Sequence, residues 1–162
     1  MKLTTLILLS LLSLGANAAG KSAFISTKVL LDQSPQAQSA NKELIDQFGD
    51  REQSLRTLAM SIQEMEKNYQ KDSAIMSAEQ KKKAEDNILQ NKRKFQYEQQ
   101  LLKEDLQVKQ RELLQKVQIS IREVIQSYGK AQGYDFIFTD SSVAYASEAV
   151  DITGKILEEL KK

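Results

Sequence analysis

Residues 55–69 read LRTLAMSIQEMEKNY, and their large apolar side chains recur mainly at alternating steps of three and four residues. This spacing is the a/d pattern of a coiled coil, in which one helix buries a narrow stripe of side chains against another helix. A helix packed on a globular core would show a broader apolar stripe. The stretch therefore predicts a long helix with a partner helix along one side.

The sequence around this stretch favours helix in both directions. Neither Gly nor Pro occurs between Asp50 and Tyr128, and these are the residues that interrupt helices most strongly. Upstream, Ser34 precedes Pro35, the only proline, and Ser at the N-cap with Pro at the first helical position is a typical helix start. The first long helix is therefore predicted to begin at Pro35.

The pattern also predicts a turn halfway along the helical region. The apolar stripe fails around residues 71–77, and Ser77 with Gln80 has the spacing of a capping box that begins a second helix. We expect a turn at about residues 73–77 and a second helix that runs back to Gly129 and Gly133. Lys92 and Gln99 occupy seam positions in its first half, so the tip is predicted to be the less stable end.

The segments that flank the two long helices predict a small β-containing body. Strands are predicted at residues 23–27, 134–139 and 143–146, and Asp151 is predicted to cap a short final helix. The fold class is α+β and mostly α, with a body from residues 19–34 and 130–162 and an antiparallel helical hairpin over residues 35–129.

A sheet of three short strands is marginal in one chain and exposes its edges, which predicts a homo-oligomer joined through the body. The residues assigned to the body core and to oligomerisation are Phe24, Ile25, Phe136, Phe138, Val143 and Tyr145.

Residues 1–18 have the pattern of a secretory signal peptide. Lys2 precedes an apolar run from Leu3 to Leu14, which is too short to span a bilayer, and Ala16-Asn17-Ala18 fits the small-x-small rule for cleavage. We therefore expect cleavage before Ala19, export through the inner membrane, and a mature domain over residues 19–162.

The composition argues against catalysis and cofactor binding. The chain has no His and no Cys, and its six Gly are scattered rather than gathered in a phosphate-binding loop. With 23 basic and 22 acidic residues, its charge does not favour nucleic acid as a partner. We expect no enzyme activity, no metal and no cofactor.

The order of these elements resembles the Skp/OmpH family of periplasmic chaperones. The specific part is the segment from Gly133 to Thr153, with its GYD, VAYAS and VDIT sequences. The resemblance implies a jellyfish-shaped homotrimer, in which strands form a central barrel and helical arms enclose a cavity. It also implies a periplasmic chaperone that holds unfolded outer-membrane proteins without ATP, prevents their aggregation and helps to deliver them. Family members can be strongly basic and this chain is near neutral, which leaves weak contact with lipopolysaccharide or a membrane surface open.

Two kinds of residue near the tip are candidates for client binding. Basic side chains cluster there, and they attract acidic segments or headgroups through weak contacts that act together. Met76 and Tyr97 lie off the clear seam register, so they are the apolar candidates. The full candidate set is Met76, Lys81, Lys82, Lys83, Lys92, Arg93, Lys94 and Tyr97.

Two other functions remain as alternatives. A structural or adaptor coiled coil of the cell envelope would need stiff arms and a folded partner, whereas the polar tip seam favours flexible arms. A binder of lipopolysaccharide or nucleic acid would rely on the basic clusters, and its affinity would fall steeply as salt rises.

Overall fold

The computed structural model describes residues 20–162, so the predicted signal peptide lies outside the described residues. The elements in chain order are β1 (Ser22–Ile25), α1 (Thr27–Gln33), α2 (Pro35–Asp72), α3 (Ala78–Gln132), β2 (Phe136–Thr139) and α4 (Thr153–Glu159). Between residues 20 and 162, no helix combines the length and the apolar character that crossing a bilayer requires.

Helices α2 and α3 form the predicted hairpin, and their starts are capped as the sequence indicates. The Ser34 side chain accepts a hydrogen bond from the Ala37 backbone N–H at 3.2 Å, and Pro35 is the first helical residue. At the tip, Ser77 Oγ accepts from the Gln80 N–H at 3.2 Å while Gln80 Oε1 accepts from the Ser77 N–H at 2.8 Å. This capping box fixes the start of α3, and residues 73–77 form the turn.

Helix α3 ends later than Gly129. Gly133 is its C-cap in the left-handed conformation, with φ 67°, which glycine adopts without strain. Gly129 instead lies buried inside the helix, where an added Cβ would come within 3.0 Å of Ile137 Cδ1. The prediction that both glycines close the helix is therefore correct for Gly133 only, and Gly129 allows β2 to pack closely on α3.

The core of the body gathers side chains from both ends of the chain and from the base of the hairpin. Val117 and Ile121 of α3 are buried against residues of β1, α1 and α4, so the last third of α3 belongs to this core. The buried members are Ala23, Ile25, Leu30, Val117, Ile121, Ile152, Ile156 and Leu160.

The sheet has two strands rather than three. Strand β1 pairs in parallel with β2, with Ser22 opposite Phe136 and Ile25 opposite Thr139. On its other side Phe24 donates its N–H to Val150 O and accepts from Ile152 N–H, each at 2.9 Å. Both edges of β1 are therefore occupied, and residues 143–146 form no strand. The predicted third strand is therefore wrong for the single chain: the outer side of β1 is taken by residues 150–152, and residues 143–146 do not pair with β2.

Three aromatic residues assigned to the body core lie on the surface of the single chain. Phe136 is 61% exposed, Phe138 is 44% exposed and Tyr145 is 83% exposed. The helices cover only one face of the small sheet, so the side chains on its other face have no second layer above them. Ile25 is buried as predicted, and Phe24 and Val143 are half-buried.

The final helix begins one residue later than an Asp151 cap predicts. Its N-cap position is Ile152, which makes no side-chain cap hydrogen bond. Asp151 Oδ1 still accepts hydrogen bonds from Thr153, from the backbone N–H at 2.8 Å and from the hydroxyl at 2.6 Å. The carboxylate therefore satisfies an orphan donor of the first turn from outside the usual cap position.

A second carboxylate ties the end of β2 to the start of α1. Asp140 accepts from the Thr27 N–H and hydroxyl, both at 2.8 Å, and from the Lys28 N–H at 3.1 Å. Burial alone would raise the pKa of Asp140, but these hydrogen bonds outweigh it and lower the pKa below its ordinary value. Helix α1, which the sequence pattern does not predict, thus receives a distant cap from Asp140 in addition to its local N-cap Ser26, whose side chain accepts from the Val29 N–H at 3.3 Å.

Replacing Asp140 with Ala is expected to lower the free energy of unfolding at pH 7 by about 1–2 kcal/mol, because two backbone N–H groups lose their acceptor. The folded-state pKa of Asp140 is depressed, so its contribution is present above the unfolded value of about 3.9 and is lost as pH falls through the folded value. Urea unfolding is followed by circular dichroism between pH 7 and pH 3. The difference in free energy of unfolding between the variant and the wild type should become smaller as the pH falls. The control is Asp86→Ala on the arm, and an equal effect of both variants would contradict the assignment.

Candidate functional site

The seam between α2 and α3 is well buried at the base of the arm and thin toward the tip. On α2 the buried seam residues are Phe48 and Ile62, with Leu55 and Leu58 between them half-buried. Beyond Ile62, Met65 and Tyr69 are also half-buried, so no seam residue of α2 is buried nearer the tip. On α3 the buried seam residues begin at Leu102, and Ile88 and Phe95 nearer the tip are half-buried. This burial agrees with the prediction that the seam packs less closely toward the tip.

Three seam positions hold cations, and each cation pairs with a carboxylate of the opposite helix. Arg51 Nη1 lies 2.7 Å from Asp105 Oδ2, and Lys109 Nζ lies 2.7 Å from Glu43 Oε1. Lys92 pairs with Glu66 in the same way. These bridges join α2 to α3 where a regular coiled coil would place apolar side chains.

Lys109 is the most enclosed of these cations, with 17% of its side chain exposed. Its hydrogen bond to Glu43 raises the pKa of Lys109 more than desolvation lowers it, and Glu112 adds to the rise. Lys109 therefore remains charged at neutral pH within the seam.

The tip carries a polar contact and an exposed apolar group. The Tyr69 hydroxyl donates to Glu85 across the hairpin, and this hydrogen bond raises the pKa of Tyr69. Ile75 in the turn is 86% exposed, which sequence reasoning missed. Next to it, the predicted candidate Met76 is half-buried.

The structure separates the predicted basic residues into two groups. Lys92 is engaged with Glu66, so its charge is already compensated within the arm. Within residues 20–162 the other predicted cations have no carboxylate within 4.0 Å, and all except half-buried Lys81 are exposed. They are Lys81, Lys82, Lys83, Arg93 and Lys94. Tyr97 is 64% exposed on the same helix.

The arm also exposes apolar side chains that the sequence prediction left out. Val108 is 58% exposed on α3 and Met60 is 58% exposed on α2. Both residues fall between the seam positions of the heptad pattern. The pattern alone could therefore have predicted that their side chains do not pack against the opposite helix. The carboxylates of Glu43, Glu66 and Asp105 could have been found by asking which acidic residues lie opposite the polar seam positions across the turn.

The arm presents groups that can bind another chain through many separate contacts. In the part of the chain that the structure describes, no group of three or more acidic side chains is placed to hold a metal ion. The arm offers apolar side chains, amides and unpaired cations along an open surface.

Comparison with known proteins places this architecture in a family. Residues 21–160 match the family model described as outer membrane protein (OmpH-like). Two relatives called chaperone protein Skp are each 27% identical: that of Pectobacterium atrosepticum over 149 residues, covering 92% of this chain and 90% of the relative, and that of Yersinia enterocolitica over 153 residues, covering 93% of each. The OmpH-like outer membrane chaperone structure from Caulobacter crescentus superposes with a TM-score of 0.72 at 15% identity, covering 88% of this chain and 85% of that one. At that identity the structural likeness supports the fold alone.

Replacing Lys109 with Met is expected to change the free energy of unfolding by no more than about 1 kcal/mol, in the stabilising direction. Met can pack along the seam, and Glu43 and Glu112 are exposed enough to return to water. Stability should also become less sensitive to NaCl, since a screened ion pair is removed. Thermal unfolding at two salt concentrations measures both effects.

Lys116→Met is the matched control, because Lys116 pairs with Glu112 while 63% of its side chain is exposed. It should give no gain from packing. A loss of more than about 2 kcal/mol in Lys109→Met would mean that the ion pair itself holds the arm together.

Proposed function

The chain belongs to the family of OmpH-like outer membrane proteins, and we propose that it is a periplasmic chaperone that holds unfolded outer-membrane proteins without ATP. It would keep clients from aggregating and help to deliver them to the outer membrane. The observation that carries this proposal is a long arm that leaves apolar and unpaired basic side chains exposed, in a chain of this family.

The mechanism that fits this arm is capture by many weak contacts. An unfolded β-barrel chain exposes strand edges and apolar side chains, which associate with other copies of the client. Exposed groups such as Tyr97 and Ile75 would cover them, and Arg93 and Lys94 would attract acidic segments. Binding by mass action lowers the concentration of free unfolded client and requires no nucleotide. We therefore infer a binding protein rather than an enzyme.

We also propose that the working form is a homotrimer joined through the body. The uncovered face of the sheet presents Phe136 and Phe138, whose rings stack with centroids 6.0 Å apart, and β2 pairs with β1 along one edge only. A neighbouring copy would cover these rings and supply a strand to the open edge. The number of copies comes from the resemblance to the Skp/OmpH family.

Contact with lipopolysaccharide or a membrane surface is proposed only as a weak, secondary property. The exposed cations Lys82, Lys83, Arg93 and Lys94 are the groups that would make it. Such phosphate contacts lose affinity steeply as salt rises, so a salt titration separates them from apolar client binding.

A structural or adaptor coiled coil is less well supported by the seam. A spacer needs a stiff arm, whereas this seam is only half-buried from Met65 to the tip. Its cations at Arg51, Lys92 and Lys109 replace apolar contacts that would stiffen it.

We expect the mature protein to suppress the aggregation of a urea-unfolded outer-membrane β-barrel when the urea is diluted without ATP. Light scattering should fall at a near-stoichiometric ratio of oligomer to client, and the client should remain unfolded in a soluble complex. Serum albumin at equal mass is the inert control. Unchanged scattering at a several-fold excess would contradict the holding function and favour a structural coiled coil with a folded partner.

Replacing Phe136 with Glu is expected to convert the oligomer to monomers, because a charge would be buried where the rings of neighbouring copies meet. The mass is measured by size-exclusion chromatography with light scattering. Tyr97→Glu is the matched control, since Tyr97 is exposed to a similar degree, 64% against 61%, but lies on the arm. If both variants keep the mass of the wild type, the body face is not the contact between copies.

A further inference from the structure

Adjoining grooves follow one edge of the hairpin, and we call them together the seam trough. It consists of three grooves, of which two share Gln99 and two share Lys92. Its lining residues recur at steps of three or four along each helix, so they lie on one side of α2 between Glu52 and Gln70 and one side of α3 between Glu85 and Gln110. The trough therefore runs along the arm from its middle almost to the tip.

The floor of the seam trough is apolar. It is made by seam side chains that the thin packing leaves partly uncovered, including Leu55, Leu106, Phe95 and Ile88, each only half-buried. Ala59 on the rim is the smallest side chain beside them, and it widens the trough at its centre. A second apolar surface placed here would remove this floor from water.

The rim of the seam trough is rich in amides that have no partner. The side chains of Gln96, Gln99, Gln107 and Gln110 form no hydrogen bond with any of residues 20–162. Each amide offers both donors and an acceptor. A rim of this kind matches the alternating N–H and C=O groups of an extended peptide backbone.

The seam trough is about as long as one transmembrane β-strand. From Glu85 to Gln110, α3 rises about 38 Å at 1.5 Å per residue. An extended chain advances about 3.3 Å per residue, so roughly eleven residues fit along it. A transmembrane β-strand has about 9–11 residues.

The charges of the seam trough lie mainly at its two ends, where Glu52, Arg56 and Lys103 line one groove and Glu66 and Glu85 line the other. In the central groove between them the only charged lining residue is Lys92, and Glu66 already compensates it, so the centre suits a segment with little charge of its own. On the opposite edge of the hairpin, the groove beside Leu58 is lined by Asp50, Arg51, Lys94 and Glu98. A neutral, half-apolar segment would leave those charges poorly solvated, which makes the opposite edge the less favourable site.

We propose that the seam trough binds one transmembrane β-strand segment of an unfolded outer-membrane protein in extended form. Apolar side chains on one face of the segment lie on the floor, and its peptide groups hydrogen bond to the glutamine amides of the rim. This proposal rests on the proposed holding function and names the arm face and the client segment that it uses. A segment that is bound in this way has its strand edge covered and cannot pair with another client.

The first experiment compares two positions that are close in sequence but on opposite edges of the arm. The photo-crosslinker p-benzoylphenylalanine replaces Gln96 in the trough or Glu98 on the opposite edge, in the full mature chain with an unfolded outer-membrane β-barrel bound. Irradiation should give several-fold more crosslinked client from position 96, and mass spectrometry should locate the crosslinks in transmembrane strands. Equal yields from both positions, or crosslinks confined to client loops and turns, would overturn the proposal.

The second experiment tests the rim with substitutions of nearly unchanged shape. Gln96→Glu combined with Gln99→Glu places two carboxylates beside the segment and should weaken client binding by roughly tenfold or more, since these charges lose hydration when the segment covers them. Gln47→Glu combined with Gln115→Glu adds the same charge outside the trough and should leave the affinity unchanged. Circular dichroism checks that both variants keep their helices.

These outcomes separate the trough from the general function. If wild-type protein fails to suppress client aggregation, the holding function itself is wrong. If suppression is normal but both double variants bind like wild type, clients are held elsewhere on the arm and the trough proposal is wrong.

Discussion

The pairing of α2 with α3 along a stripe about one side chain wide is the contact on which the arm depends. Because the stripe is narrow, each seam position contributes a large share of the packing. The cations at Arg51, Lys92 and Lys109 reduce the apolar packing at three of these positions. Their long aliphatic stems still pack along the seam while their charges reach carboxylates at the rim. Partly exposed pairs of this kind contribute at most about 1 kcal/mol each, but a polar seam residue restricts the register in which two helices can pair. The arm therefore gains alignment without the stability of an apolar coiled coil.

Helix α3 connects the arm to the body. It is one continuous helix that begins at the tip of the arm and ends in the core of the body. Its last third buries Val117 and Ile121 against β1 and α4, whereas its first half packs along α2 and contributes no residue to that core. The close approach at Gly129 and the left-handed cap at Gly133 then direct the chain back into β2. Movement of the hairpin is thus restrained at the base by a core built from both chain ends, and the restraint weakens with distance along the arm.

Local features of the fold could be predicted from the sequence, and features that depend on distant partners could not. Ser34, Ser77 and Gln80 act within four residues of themselves, so their spacing was sufficient to place both long helices and the turn. The cap that Asp140 gives to α1 joins residues more than a hundred positions apart, and no local pattern reports it. The prediction of a strand at residues 143–146 failed for the same reason: alternating side chains indicate that a segment can be a strand, but only pairing with another strand makes it one, and these residues do not pair with β1 or β2. For the candidate site, composition located the basic residues, whereas finding that Lys92 is paired and Arg93 is not required the positions of the opposite helix.

A seam that is too thin to bury its own side chains has a consequence for binding. In a well-packed coiled coil the apolar stripe is unavailable to other molecules, whereas here Phe95 and Leu106 remain half-buried with unpartnered glutamines beside them. The same deficit that lowers the stability of the arm leaves a surface that an extended chain can cover. Each contact on such a surface is weak, so release needs no large change in the protein, and many such contacts acting together can still retain a client. Replacing the seam cations and glutamines with leucine would both stiffen the arm and remove this binding surface. The stability of the arm and its capacity to bind therefore oppose each other.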